Sequence, residues 1–182
     1  MKPWEKDLLR FALADHAFQE ADALAAHIIE SKLAPDSHLL SASIAGVVVC
    51  YCRPFMSASG LGPLPKSMAE FSNEKGGKLL LAAHNMIIEA RQKFAAHFDR
   101  TFCEEQHAAG ILPLSPSEVR VDLERKGFTV STHSSYLNPN NVPLLRILFG
   151  IQQKRVKSRL GAIAVELLKE HRKIGTFVFK VP

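Results

Sequence analysis

Arg91 and His97 are the two side chains whose types and spacing could do chemistry, six positions apart within Lys78–Arg100, KLLLAAHNMIIEARQKFAAHFDR. A guanidinium grips an oxyanion with a rigid fork of donors. An imidazole titrates near neutrality and can take or give a proton. On a helix each residue turns about 100°, so these two point roughly 120° apart. Groups that act together from one helix sit three or four apart. This offset suits a pair that meets its counterpart from a second copy of the same helix. His84, seven positions before Arg91, shares the arginine's face, about 20° off.

The stretch that must position them reads as one helix. Asn73–Gly77 is glycine-rich and polar, and no proline or glycine interrupts Lys78–Arg100. Leu80, Ala83, Ile87, Ala90 and Phe94 recur at three and four, a face pressed against other helices. Upstream, Asp7 to about Leu33 has helical periodicity and stops at Pro35. Asp36 or Ser37 can cap a second helix that runs to about Arg53, before Pro54. That helix is apolar nearly all round. Its Val47–Val49 run would suit a strand, but Leu39–Arg53 is too long for one. Met56–Gly77 is mostly loop, with a helical turn near Met68–Phe71, and a connection this long usually lids or lines something.

Farther on, Val119, Val121 and Leu123 alternate with charged residues, Lys126-Gly127 gives a turn, and Phe128, Val130 and Thr132 alternate again, which predicts a β-hairpin. Leu144 to about Arg172 is the last helix, with Leu145, Leu148, Val156, Leu160, Ile163 and Leu167 as its seam. Gly150 and Gly161 share one side of it, a predicted place of close helix approach. The expected fold is all-α: an up-and-down bundle of about four to five helices with an appended β-hairpin near residues 118–133, in a single domain 1–182.

With 182 residues, 47% hydrophobic and 23% charged, the chain can bury a core as one globular unit. A net charge of +5 permits an anionic partner without demanding one. Three cysteines give no disulfide framework. Cys50 and Cys52 read as small buried hydrophobes, and a reducing cytoplasm fits. The residues Met1–Asp7 lack the apolar core of a signal peptide. The longest apolar run, Ile44–Cys52, is nine residues, too short to span a bilayer, so no membrane is expected. His97, Cys103 and His107 lack paired close-spaced ligands, and neither a P-loop nor a dinucleotide fingerprint is present, so no metal or other cofactor is expected. A G-x-S-x-G hydrolase elbow is also missing. Arg53 stands at a helix end, where it either forms an ordinary salt bridge or points to a phosphate site or to Asp99. Lys154, Arg155, Lys157 and Arg159 form either a solvated face or an RNA-facing patch.

The run Arg91-Gln92-Lys93-Phe94-Ala95-Ala96-His97-Phe98-Asp99 resembles the arginine–histidine motif of HEPN-domain proteins. In that group a polar residue follows the arginine, a small one precedes the histidine, and an acidic residue often comes shortly after. Gln92, Ala96 and Asp99 take these places, with Gln92 where asparagine or aspartate is commoner. His84 and the segment Tyr51-Cys52-Arg53-Pro54-Phe55 are similar to uncharacterised branches of the group, and the likeness covers about Ser37–Asp99. The resemblance implies a metal-independent endoribonuclease of toxin or RNA-defence type. Arg91 and His97 of two chains would line one cleft in a homodimer, with Gln92, Asp99, His84, Arg53 and Tyr51 in support. An antitoxin is the kind of partner it allows. A non-catalytic helical dimer that binds RNA or protein is the other form such a chain can take.

Overall fold

A computed structural model describes residues 2–34, 37–56, 61–93, 118–124, 127–133 and 138–171. Four long helices make up its body: α1 (Pro3–Ser31), α2 (His38–Cys52), α3 (Gly77–Lys93) and α4 (Val142–His171). α1 lies along both α2 and α4, and α3 bridges α2 and α4. The result is a helical bundle around one apolar cluster. Residues Glu118–Glu124 (β1) and Gly127–His133 (β2) are extended and pair antiparallel, with Val121 opposite Val130.

Local chemistry sets the ends. α1 starts four residues before the periodicity suggests because Pro3 occupies its first turn and the Lys2 backbone N–H donates to the Glu5 carboxylate at 2.7 Å. It stops at Lys32, which takes a left-handed conformation (φ 46°). The Ser37 side chain accepts from the Leu39 N–H and caps α2. Alanines at 14, 17, 21 and 25 line the buried face of α1, small enough to let its neighbours come close. Gly46 of α2 serves the same end, since a Cβ there would stand 2.9 Å from Leu24 Cδ1.

α2 is central, and that explains its composition. Val47, Val48, Tyr51 and Cys52 are fully enclosed, so tertiary burial overrides the strand preference of the valine run. By length and composition the 18-residue window His38–Phe55 could also cross a membrane, which corrects the nine-residue reading. Moderately apolar residues on either side extend the run, and 44% of the window is packed inside the bundle.

The connection between α2 and α3 is a strap tied down at several points. Leu61, Leu64, Met68 and Phe71 are buried beneath it. The helical turn predicted at Met68–Phe71 is a 3-10 turn at Lys66–Ala69. Arg10 of α1 donates to the Leu61 carbonyl at 2.6 and 3.0 Å. From α4, Gln152 and Arg155 both donate to the Met68 carbonyl, at 2.8 and 3.1 Å. The strap ends where a Cβ on Gly77 would fall 2.0 Å from the Phe71 carbonyl oxygen, so only glycine fits.

The seam of α4 is as its periodicity predicts, with Leu145, Leu148, Val156, Ile163 and Leu167 buried and Leu160 partly so. The two glycines of that helix are a correction. A Cβ on Gly150 or Gly161 would meet nothing within 4 Å. They sit off the buried seam, so no described helix approaches there. Alanine at either position adds helix propensity without a clash, and each substitution should stabilise the fold by up to about 1 kcal/mol. Gly77→Ala should destabilise it. Urea midpoints of the three variants check both signs.

Candidate functional site

The buried face of α3 places Leu80, Ala83, His84, Ile87 and Ala90 inward. Toward its end the stripe drifts out of the core, leaving Arg91 half-buried and Gln92 exposed. Beneath Arg91 lies Cys52, whose Sγ donates to the Ile87 carbonyl at 3.3 Å. Burial pushes the Cys52 thiol up to about 12, with the Arg91 charge acting in the opposite sense. The guanidinium therefore stands within electrostatic reach of α2, and the thiol is an unreactive core group. His97 and Asp99 lie outside the described residues, as do Phe94–Arg100 of the predicted helix.

Three other expected site residues have structural work instead. Arg53 pairs with Glu20 across the α1–α2 interface at 3.4 Å, the salt bridge among its two readings. Glu20 also takes His16 at 3.4 Å, and Cys50 Sγ lies 3.8 Å from the same carboxylate. Tyr51 and His84 are a correction. They sit at the centre of the bundle, 0% and 6% exposed, where they cannot touch a substrate. Position 84 falls one step after Ala83 on the inward stripe, which is why sharing a face with Arg91 does not bring it to the surface.

Around Tyr51 the bundle gathers its aromatic rings: Phe18 at 5.5 Å, Phe55 at 5.4 Å, Phe149 at 5.1 Å and the His84 imidazole at 5.8 Å between centroids. All four helices meet here. Apolar surroundings hold His84 well below its ordinary range, to about 4, with burial the sole cause. They push the Tyr51 hydroxyl far up. Tyr51 Oη lies 2.8 Å from His84 Nδ1 and also faces the Gln152 amide. Tyr51 Oη and His84 Nδ1 share one hydrogen bond, and Gln152 Nε2 donates to the Met68 carbonyl. The tautomer of His84 decides which of Tyr51 and His84 donates, and Gln152 Oε1 is buried without a hydrogen-bond partner among the described residues.

The basic stretch of α4 divides by facing. Arg155 is turned inward: its guanidinium lies 4.9 Å over the Phe71 ring and 3.1 Å from Glu74. Lys157 is exposed. Lys154 and Arg159 border an open cleft of about 730 Å³ between α4, the start of α1 and the strap. Arg10 and Asp7 of α1 complete its charged rim, and Phe11 and Met68 lie in its floor. Sequence reasoning missed the α1 half of this cleft. The Asp7–Arg10 spacing marks a charged face, but nothing local shows that it lies opposite residue 159. Among the described residues no group of three His, Cys, Asp or Glu side chains could hold a metal ion.

No protein-family model, no curated protein and no solved structure matches this chain.

Proposed function

We propose that this chain is a HEPN-like endoribonuclease that works as a homodimer without a metal, with Arg91 and His97 as its catalytic residues. The observation that supports this reading is Arg91 itself. It is half-exposed at the end of a helix whose inner face is locked in the core, beside an exposed Gln92. A rigid element that presents a guanidinium to solvent is what phosphate recognition needs. The up-and-down course of the helices and a β1–β2 ribbon appended to them belong to the same reading. So do an antitoxin as partner and the cytoplasm as location, which two free buried cysteines fit.

RNA brings its own nucleophile. One His97 takes the 2′-hydroxyl proton, and the 2′-oxygen attacks the adjacent phosphorus. The P–O5′ bond breaks, and the second His97 gives its proton to the departing 5′-oxygen. Two-fold symmetry supplies acid and base from identical residues. The Arg91 forks hold the non-bridging oxygens and offset the charge that builds at five-coordinate phosphorus. Gln92 orients His97 or a substrate oxygen, and Asp99 fixes the imidazole tautomer. Tyr51, His84 and Arg53 act only by keeping α2 and α3 in place.

The test is RNA cleavage in EDTA, with the product ends analysed. Expected are 2′,3′-cyclic phosphate and 5′-hydroxyl ends. His97→Ala and Arg91→Ala should each lower the rate by on the order of 10²- to 10⁴-fold while the dimer persists by sedimentation. Chelator-sensitive cleavage, or a His97→Ala variant as fast as the parent, would sink the reading. RNA binding with no turnover would leave the non-catalytic dimer.

A further inference from the structure

The cleft between α1, α4 and the strap lies away from the helix that carries Arg91, and its chemistry is that of a nucleic-acid groove. Four cations line it with one carboxylate, and one of them, Arg155, is already paired with Glu74. Asp7 lies 3.3 Å from Arg10 and 4.0 Å from Arg159, so it is shared between two guanidiniums. Arg10 is held in place by the Leu61 carbonyl. Arg159 is only loosely engaged, at the outer limit of an ion pair, with half its side chain exposed. Lys154, also exposed, has no carboxylate partner among the described residues. Positive charge on the rim thus exceeds what the protein neutralises. Below it Phe11 and Met68, 3% and 8% exposed, make the floor apolar. A volume of about 730 Å³ is ample for a nucleotide, and the open side lets a chain pass through.

We infer that this cleft binds single-stranded RNA, with backbone phosphates on Lys154 and Arg159 and a base against the floor. The assignment rests on the ribonuclease reading for the choice of RNA as the anion, and it adds a surface which that reading does not include. Arg10 is a positioning residue that keeps the strap and the Asp7 carboxylate in register with α4.

The experiment is fluorescence anisotropy of a labelled, 2′-O-methylated RNA decamer on the full chain across a salt series. Such an RNA has no free 2′-hydroxyl, so the measurement reads binding alone whether or not the protein cuts RNA. Lys154→Glu/Arg159→Glu should weaken binding at least about tenfold. It should also reduce the slope of log K against log salt by about 0.7 for each phosphate that the variant no longer neutralises. Lys157→Glu/Lys169→Glu makes the same change in net charge at exposed positions of α4 outside the cleft, and should bind within about twofold of the parent. Unchanged urea midpoints show that both variants are folded. Three results overturn the inference: equal weakening in both double variants, no binding by the parent chain, or displacement of the decamer by polyglutamate as readily as by unlabelled RNA. Salt-dependent binding abolished only with the cleft charges, in a chain that never cleaves RNA, would uphold the cleft and remove the nuclease.

Discussion

Taking the chain from pH 6.5 down to pH 4 is expected to cost on the order of 3 kcal/mol of folding stability through His84 alone. Burial lowers the proton affinity of this imidazole to about 4 in the folded state, against an ordinary 6.5. Between those values the unfolded chain carries a proton that the folded chain does not. Each unit of falling pH therefore favours unfolding by up to about 1.4 kcal/mol. Above pH 6.5 the group is neutral in both states, and below pH 4 it is charged in both, so its contribution is flat outside that window. Among the described residues no carboxylate offsets the loss: the rings packed on the imidazole are Tyr51, Phe55 and Phe71. Urea midpoints at pH 7, 5.5 and 4.5 measure the effect in the parent and in His84→Gln. Glutamine can donate to or accept from the Tyr51 hydroxyl but does not titrate. All other histidines are common to both proteins and cancel in the difference. An equal pH dependence in the two would show that His84 is not the group responsible.

How much of this is legible in the sequence depends on whether the signal is local. Helix periodicity, Ser37 as a cap, Pro54 as a boundary and the α4 seam all follow from residues within a few turns of each other, and the helical bundle follows from them. What periodicity does not carry is which apolar stripe faces which neighbour. Hence Tyr51 and His84, thirty-three positions apart, look in sequence like polar groups beside a catalytic arginine. They are in fact each other's partners in the core. A polar side chain on an apolar face has two explanations, a satisfied buried contact or a functional site, and only the identity of the opposing residue separates them. Gly150 and Gly161 show the converse. Their spacing does place them on one side of α4, but among the described residues that side faces no helix. Arg155 makes the same point among the cations of α4. Four basic residues in six positions look alike in sequence, yet one is bound into the strap and three, that one included, line a cleft whose other wall comes from Asp7 and Arg10, about 150 residues earlier.

The Tyr51 hydroxyl is the link on which that core depends. Replacing it by phenylalanine keeps the ring and its packing but removes the hydrogen bond to His84 Nδ1. It leaves the buried His84 Nδ1 unpaired, and the expected loss is about 1–3 kcal/mol. The cost should shrink by at least about 1 kcal/mol in a His84→Leu background, because the unpaired ring nitrogen is then gone as well. Tyr51→Ala removes the ring too and should lose about 3–5 kcal/mol, since Phe18, Phe55 and Phe149 all surround it. A double-mutant cycle from urea unfolding measures the coupling, and additive losses would mean that the hydroxyl and imidazole do not interact. The same variants separate structure from catalysis. If Tyr51 serves only the core, Tyr51→Phe lowers the midpoint yet leaves RNA cleavage per folded molecule unchanged at low temperature. A fall in that rate, with the folded fraction intact, would return Tyr51 to the chemistry.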